Sequence, residues 1–210
     1  MTHTALEPDT QHLVLEYLAA AAAGDLDGVH RALESGAPIN ARGRRRETAM
    51  LRAAKAGHYN VVRALIAAGA DIDLQDDTSL NPFLYGCING DLELVRIAVE
   101  AGTNLELLTR FGGNGLTPAA EKGHVDVVEY LVTNTDINVN LTNTIGWTAL
   151  IEAVILGDGG ATQQRIIELL LAHDADPGLT DEWGVTPLEL ARQKGFSEIE
   201  RLLETAEAAA

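Results

Sequence analysis

Apolar positions recur at helical spacing in the segment 48–73, TAMLRAAKAGHYNVVRALIAAGADID. Thr48 can cap a first helix, and Gly57 can end it in the left-handed conformation that glycine adopts at little cost. A second helix is then predicted, ending at Gly69, whose apolar face consists of Val61, Val62, Leu65 and Ile66. Two such short helices cannot bury their apolar faces alone, so the segment predicts neighbours of the same kind.

A glycine that can close a short helix recurs along the whole chain, with spacings of 33, 33, 33, 34 and 38 residues, at Gly24, Gly57, Gly90, Gly123, Gly157 and Gly195. Four residues before each glycine is a small residue, namely Ala20, Ala53, Gly86, Ala119, Ala153 and Ala191. A small residue lets neighbouring helices approach closely, and the glycine turns the chain back for the second helix. Two features in one register therefore indicate a repeat.

This period predicts six repeats in a single domain, 1–210. Within it we expect a flexible segment 1–9, an N-terminal capping repeat 10–42, four internal repeats 43–180, a C-terminal capping repeat 181–203 and a frayed tail 204–210. The last repeat begins with a capping box, Thr186-Pro187-Leu188-Glu189. In the fourth repeat the register places Asn114 at the helix cap and Pro118 inside the first helix, which predicts an irregular helix there.

The repeated threonine, Gly-His, Val-Val, Leu and Gly-Ala-Asp at a period of 33 residues resemble the ankyrin repeat. The segments TAMLRAAKAGHYNVVRALIAAGADID and GVTPLELARQKG are most similar to it, and NPFLYGCINGDLELVRI, RFGGNGLTPAAEKGHVDVVEYL and GWTALIEAVILGDGG also resemble small stand-alone bacterial ankyrin-repeat proteins. The resemblance implies an all-α solenoid of about six helix-turn-helix repeats, with first helices lining a concave face and projecting inter-repeat turns, or fingers. Two departures, Asp174 in place of a glycine and the segment 134–139 one residue out of step, predict the least regular turns.

The composition agrees with closely stacked helices, since 46% of residues are hydrophobic but only 4% are aromatic. A formal net charge of −16 argues against a nucleic-acid partner, because phosphate binding needs a dense positive surface. One local exception is a basic cluster, which is either a contact for an acidic partner or a solvated turn, at Arg42, Arg44, Arg45 and Arg46.

Several features predict a cytoplasmic protein without a membrane segment, and we expect it to be a monomer. The single cysteine, Cys87, excludes an intrachain disulfide and fits a reducing compartment. The N-terminal MTHTALEPDT lacks the basic and apolar regions of a secretory signal. The apolar stretch 13–23 contains Glu16 and is too short to span a bilayer.

The sequence predicts no enzyme, no cofactor and no metal. His58 and His124 share one repeat position, which the resemblance assigns to packing and turn hydrogen bonds, and they lie two repeats apart. No phosphate-binding loop, nucleophile elbow or metalloprotease motif occurs. The insertion 157–164 contains Asp158, which could help to cradle an ion or belong to a longer loop that caps the next helix.

Candidate binding residues are those that the stack does not need, in the fingers and at the positions four, seven and eight after each cap. They are Arg44, Arg45, Tyr85, Ile88, Arg110, Phe111, Ile145, Trp147, Ile155, Leu156 and Trp183. Trp, Tyr and Arg are the usual interface anchors, although the aromatic residues could instead fill gaps between fingers. We predict binding of a partner protein, still unknown, through the concave face and fingers; the alternative is a small-molecule or redox-responsive regulator that uses the Asp158 loop or Cys87.

Overall fold

The computed structural model describes residues 8–208, which form twelve α-helices in six consecutive pairs. The first helices of the pairs are α1 (Pro8–Ala23), α3 (Ala49–Lys55), α5 (Pro82–Asn89), α7 (Leu116–Glu121), α9 (Ala149–Ile155) and α11 (Pro187–Lys194). The second helices are α2 (Leu26–Glu34), α4 (Tyr59–Ala67), α6 (Leu92–Glu100), α8 (Val125–Asn134), α10 (Ala161–Ala172) and α12 (Ser197–Glu207). Between residues 8 and 208 the only β-structure is an isolated bridge from Arg42 to Thr48, so the predicted all-α repeat fold is confirmed.

The chain forms two compact units, which we describe separately. Among the described residues, the first unit comprises 8–85 and 96–103, and the second comprises 86–95 and 104–208. Helices α5 and α6 each contribute to both units. The predicted flexible segment 1–9 lies outside the described residues except for its last two, and α12 continues to Glu207, inside the segment 204–210 that was expected to fray.

In the first unit, the helix pair of the second repeat forms as the sequence predicts. The Thr48 hydroxyl accepts a hydrogen bond from the backbone N–H of Leu51 at 3.1 Å, which caps α3. Helix α3 packs against α4 and α1, and the resulting core includes Met50, Leu51, Val61, Val62 and Leu65. At the N-terminal end, the buried Tyr17 donates its hydroxyl to the carbonyl oxygen of Ile39 at 2.9 Å. Local caps and apolar spacing therefore account for this unit.

In the second unit, α7, α9 and α11 pack side by side, and each contacts the second helix of its own repeat. Thr148 caps α9 by accepting from the backbone N–H of Ile151 at 3.2 Å. Thr186 and Glu189 form the predicted capping box at α11. The buried side chains of α9 and α10 include Leu150, Ile151, Ile166, Ile167 and Leu170.

Pro118 is accommodated in the short, six-residue helix α7. The helix begins at Leu116, and Gly115 is its cap, one residue later than predicted. Pro118 is thus the third helical residue, where a backbone N–H has no intrahelical partner and none is lost. Asn114 still organises the helix start, because its side chain accepts from the backbone N–H of Leu116 at 3.1 Å and donates to the carbonyl oxygen of Asn138 at 2.8 Å.

The left-handed glycine before the second helix of the fifth repeat is Gly159, not Gly157 as the spacing suggested. Gly159 has a φ of 75°, whereas Gly157 is not left-handed. The Phe196 ring lies directly over Gly159, just as the His124 ring lies over Gly90 in the third repeat. The insertion has therefore moved the left-handed position two residues along the chain.

The two turns expected to be irregular depart from the repeat in different ways. Asp174 adopts the left-handed conformation itself, with a φ of 66°, in the place of the usual repeat-ending glycine. Thr135 follows α8 in an extended conformation instead, and its hydroxyl donates to the carbonyl oxygen of Leu131 at 2.6 Å. The carbonyl oxygen of Leu131 thus accepts from both the hydroxyl and the backbone N–H of Thr135 at the end of α8.

Candidate binding site at the fingers

Five fingers precede the helix pairs of the second to sixth repeats, at 43–47, 76–80, 109–113, 143–147 and 181–185. In each finger the backbone N–H of the first residue donates to the carbonyl oxygen of the fifth, at 2.8–3.1 Å. The fourth residue of each finger has a positive φ and is Arg46, Ser79, Gly112, Gly146 or Gly184. The shared hydrogen bond and turn make the third residue the tip of every finger.

In the second unit, three fingers contact one another in sequence. The backbone N–H of Thr144 donates to the carbonyl oxygen of Phe111 at 3.0 Å, which joins the finger 109–113 to the finger 143–147. Gly146 lies so close to the backbone of Asp181 and Glu182 that a Cβ there would be 2.9 Å from the Glu182 nitrogen. A glycine is therefore required where the finger 143–147 meets the finger 181–185.

The tips of these three fingers are all apolar, and we call Phe111, Ile145 and Trp183 the fingertip row. Phe111 is 61% exposed and Trp183 is 67% exposed, whereas Ile145 is partly buried. The Arg110 guanidinium lies 4.6 Å from the centroid of the Phe111 ring, a distance at which cation and ring attract each other. Large apolar side chains exposed side by side commonly mark an interaction surface.

The other predicted binding residues of the second unit differ in exposure. Arg110 and Leu156 are exposed, whereas Trp147, Ile88 and Ile155 are partly buried. The indole nitrogen of Trp147 is buried and has no hydrogen-bond partner among the described residues. Trp147 thus combines a structural position at the base of its finger with an unsatisfied donor, and its role as an anchor stays a prediction.

In the first unit, the predicted binding residues are the partly buried Tyr85 and the exposed Arg44 and Arg45. The turn Arg44–Arg46 holds both Arg45 and Arg46 at a positive φ, of 58° and 59°, which is strained for side chains with a Cβ. The carbonyl oxygen of Arg45 accepts from the backbone N–H of Asp77 at 2.8 Å and so joins the fingers 43–47 and 76–80. Three exposed arginines therefore project from one fixed turn.

Sequence reasoning missed Glu152, a buried carboxylate on α9. Only 7% of Glu152 is exposed, and the side-chain nitrogen of Asn143, in the finger 143–147, donates to Glu152 Oε1 at 2.8 Å. Burial and, after it, the charge of Glu121 raise the pKa of the Glu152 carboxyl to about 7, against the opposing effects of the hydrogen bond from Asn143 and the charge of Lys122. The signal in the sequence is a single acidic residue within the apolar helix ALIEAVI.

The raised pKa of Glu152 predicts a pH-dependent gain in stability for Glu152→Gln. The protonated carboxyl stabilises the folded state, and this contribution is complete below the ordinary pKa of 4.5 and is lost as the pH rises through 7. At pH 8 the variant should therefore be more stable than the wild type by on the order of 2 kcal/mol, or roughly 4–8 °C in Tm. Thermal unfolding followed by circular dichroism at pH 8 and at pH 4 would measure this difference.

The control for this experiment is Glu168→Gln on α10 of the same repeat, where the carboxylate is exposed beside Arg165 at 3.5 Å. An exposed pair of this kind contributes little, so its Tm should change by less than about 1 °C at either pH. A Glu152→Gln variant that is no more stable than wild type at pH 8 would show that the carboxylate is well solvated.

The other residues considered for catalysis or ligand binding are His58, His124, Cys87 and Asp158, and their contacts in the structure are those of packing and turns. The Nε2 atom of His124 lies 3.1 Å from the carbonyl oxygen of Ile88, and the His58 ring packs over Gly24. Burial raises the pKa of the Cys87 thiol, and a neutral buried thiol is a poor nucleophile. Asp158 accepts from the backbone N–H of Gly160 at 2.8 Å and closes the loop, although it does not cap α10.

Residues 8–208 contain no group of three or more His, Cys, Asp or Glu side chains that could hold a metal ion. Over the same range, none of the helices has the length and apolar character needed to cross a membrane.

Paired helices that recur along the chain, with fingers between successive pairs, define a helical repeat protein. Residues 17–107 and 83–181 match the family model described as ankyrin repeats (3 copies). The chain therefore belongs to the ankyrin-repeat family, as its sequence predicted, and this family's fold is a protein–protein interaction scaffold.

Two solved structures are similar to most of the chain, and one curated protein is similar to about half of it. An ankyrin repeat domain from Acinetobacter baumannii AYE is 40% identical with a TM-score of 0.87, and the match covers 91% of this chain and 97% of that one. The ankyrin repeat protein EF0377 is 35% identical with a TM-score of 0.85, and the match again covers 91% of this chain and 97% of that one. YahD of Escherichia coli (strain K12), whose name describes an ankyrin repeat protein, is 62% identical over 96 residues, which are 46% of this chain and 48% of YahD. The match thus spans about half of that relative.

A more distant similarity is to a chain in the complex of the predatory endopeptidase Bd0816 from Bdellovibrio bacteriovorus with the immunity protein Bd3460. It has a TM-score of 0.74 and 22% identity, and it covers 90% of this chain and 97% of that one. At this identity the similarity shows the fold alone.

Proposed function

We propose that the protein binds a partner protein, without catalysis, through the fingertip row and the neighbouring first helices of the second unit. The observation that carries this proposal is the exposure of two large aromatic side chains, Phe111 and Trp183, on fingers that are fixed to one another by backbone contacts through Thr144 and Gly146. Rigid aromatic side chains lose little entropy on binding and are frequent interface anchors.

Charge favours a partner that is neutral or basic. The second unit contains 19 Asp and Glu residues against 6 Lys and Arg residues, a formal net charge of −13. Such a surface repels acidic proteins and speeds the association of basic ones. The Bdellovibrio complex supports the proposal only in that a chain of this fold occurs there in an assembly of two proteins. Arg44 and Arg45 of the first unit remain proposed contacts for an acidic segment of the same partner.

Affinity capture from the cells that produce the protein, followed by mass spectrometry, would identify the partner. We expect Phe111→Ala and Trp183→Ala each to weaken its binding by about 2 kcal/mol or more, since truncation of a true anchor typically costs this much. Isothermal titration calorimetry with the purified partner would measure the loss. Circular dichroism should be unchanged, because both side chains are largely exposed.

The matched control is Arg201→Ala on α12, where the exposed guanidinium pairs with Glu198 of its own helix at 3.2 Å. This variant should bind the partner as the wild type does. The proposal fails if both aromatic variants are folded and retain full affinity, or if Arg201→Ala alone releases the partner.

A further inference from the structure

One helix position has a charged side chain in both units, but the ionic surroundings of that side chain differ between them. Arg52 of the second repeat and Glu152 of the fifth occupy the same position, four residues after the capping threonine. In the first unit Arg52 lies 3.6 Å from Glu47, and Lys55 lies 2.7 Å from Glu47 and 3.1 Å from Asp76. Both signs of charge are therefore present at that position of the second repeat.

Glu152 has no such counter-ion. Among residues 8–208 no Lys or Arg side chain forms an ion pair with it, and the neighbouring Lys122 pairs with Glu121 at 3.4 Å. Asn143 donates to Oε1 of Glu152, while Oε2 accepts no hydrogen bond from the described residues. A carboxylate that is buried without a cation is costly, so proteins normally pair it or keep it protonated.

The position of Glu152 connects it to the fingertip row. Asn143 uses its side-chain nitrogen to bind Glu152 and its side-chain oxygen to accept from the backbone N–H groups of Ile145 and Trp147, both at 3.0 Å. Ile145 is the middle residue of the fingertip row. Asn143 therefore links Glu152, and any group bound there, to the fingertip row through hydrogen bonds.

We propose that Glu152, with Glu121 beside it, receives the ammonium or guanidinium group of a Lys or Arg side chain from the partner, while the fingertip row binds apolar residues of the same partner segment. This inference rests on the proposed function and names the chemistry of the partner as a basic segment with apolar side chains. The cation would supply the charge that Glu152 lacks and a donor for Oε2. A neutral, protonated Glu152 that the partner does not contact is the competing outcome.

The test uses phage-displayed random dodecapeptides as the probe and the intact protein as the target. We expect peptides selected on the wild type to contain an excess of Lys or Arg close to aromatic or aliphatic residues, relative to the unselected library. The affinity of such a peptide should fall at least about tenfold on Glu152→Gln, because one member of a buried charge pair is lost. Gln keeps the size of the side chain and the acceptor for Asn143, so this variant is expected to fold.

Glu168→Gln on α10 is the matched control, since it makes the same substitution in the same repeat at an exposed acid. It should leave the affinity of the selected peptides unchanged. The inference is overturned if the selected peptides show no excess of Lys or Arg, or if Glu152→Gln binds them as tightly as the wild type.

The same selection separates this inference from the proposed function. Peptides that bind the wild type but are unaffected by Phe111→Ala and Trp183→Ala would contradict the proposed function. Peptides that lose affinity on both aromatic substitutions but not on Glu152→Gln would support the fingertip row and reject only the role of Glu152. If no peptide is enriched over the unselected library, both the proposed function and this inference are rejected.

Discussion

A chain that ends at residue 180 should not remain a folded monomer. The deletion removes α11, which packs against α9, and α12, which packs against α10. The buried side chains that are lost include Leu188, Leu190, Ala191, Ile199 and Leu203. Each fully buried large apolar side chain contributes about 1.5–3 kcal/mol, so the total is comparable to the whole stability of a typical domain. Light scattering after size exclusion should therefore show aggregates, and the cooperative thermal transition should be lost or strongly lowered.

A chain that ends at Thr205 is the matched control for this truncation. It removes only the last two residues of α12 and the residues after them, where the described side chains are exposed or partly buried. We expect a monomer whose Tm is within a few degrees of the full-length value. A chain ending at residue 180 that stays monomeric and equally stable would contradict the assignment of α11 and α12 as a capping repeat.

The features that the sequence predicted correctly are those that local chemistry decides. Thr48 and the capping box at Thr186 each satisfy backbone N–H groups within their own turn, so a short stretch of sequence contains the whole interaction. Asn114 organises the start of α7 for a similar reason, although its longer reach to Asn138 moves the cap itself to Gly115. The order and type of the helices therefore follow from the pattern along the chain.

The details that the sequence did not predict depend on contacts between repeats. The spacing favoured Gly157, whereas Gly159 is the left-handed residue, and it lies against the Phe196 ring of the next repeat. The exposure of a finger aromatic depends equally on its neighbours. Trp147, the fifth residue of its finger, is partly buried, whereas Trp183, the third residue of its finger, is 67% exposed. Residue type alone could not separate these two tryptophans.

The burial of Glu152 was missed for the same reason. Its helix position suggested a side chain directed to the inner face, but its burial arises from the packing of α9 against α7 and α11. The candidate site thus consists of residue types visible in the sequence, while their exposure and charge state are properties of the assembled repeats.

Asp76→Ala should strongly destabilise the first unit, costing about 3 kcal/mol in the free energy of unfolding. The Asp76 side chain is 2% exposed. Its Oδ1 atom accepts from the backbone N–H of Thr78 at 2.8 Å, from the Thr78 hydroxyl at 2.6 Å and from the backbone N–H of Leu80 at 3.1 Å. Its Oδ2 atom accepts from Lys55 Nζ at 3.1 Å. Alanine would remove the acceptor shared by the backbone N–H groups of Thr78 and Leu80 and would leave Lys55 paired with Glu47 alone. Chemical denaturation at pH 7 would detect this loss.

The pH dependence of the Asp76→Ala effect provides a second measurement. Burial alone would raise the pKa of Asp76, but the hydrogen bonds from Thr78, Leu80 and Lys55 lower it below its ordinary value of 3.8. The ionised carboxylate therefore stabilises the fold above the ordinary pKa, and this contribution is lost as the pH falls through the folded-state value. The difference between wild type and variant should accordingly shrink at strongly acidic pH.

The adjacent Asp77→Ala is the matched control for Asp76→Ala, because it removes the same charge from an exposed side chain one residue away. The link between the fingers 43–47 and 76–80 uses the backbone N–H of Asp77, which alanine retains, so its stability should change by less than about 0.5 kcal/mol. If the two substitutions have equal effects at pH 7, net charge rather than the bonds made by Asp76 determines the stability of this finger. A large effect confined to Asp76 would instead attribute that stability to one buried carboxylate and its four donors.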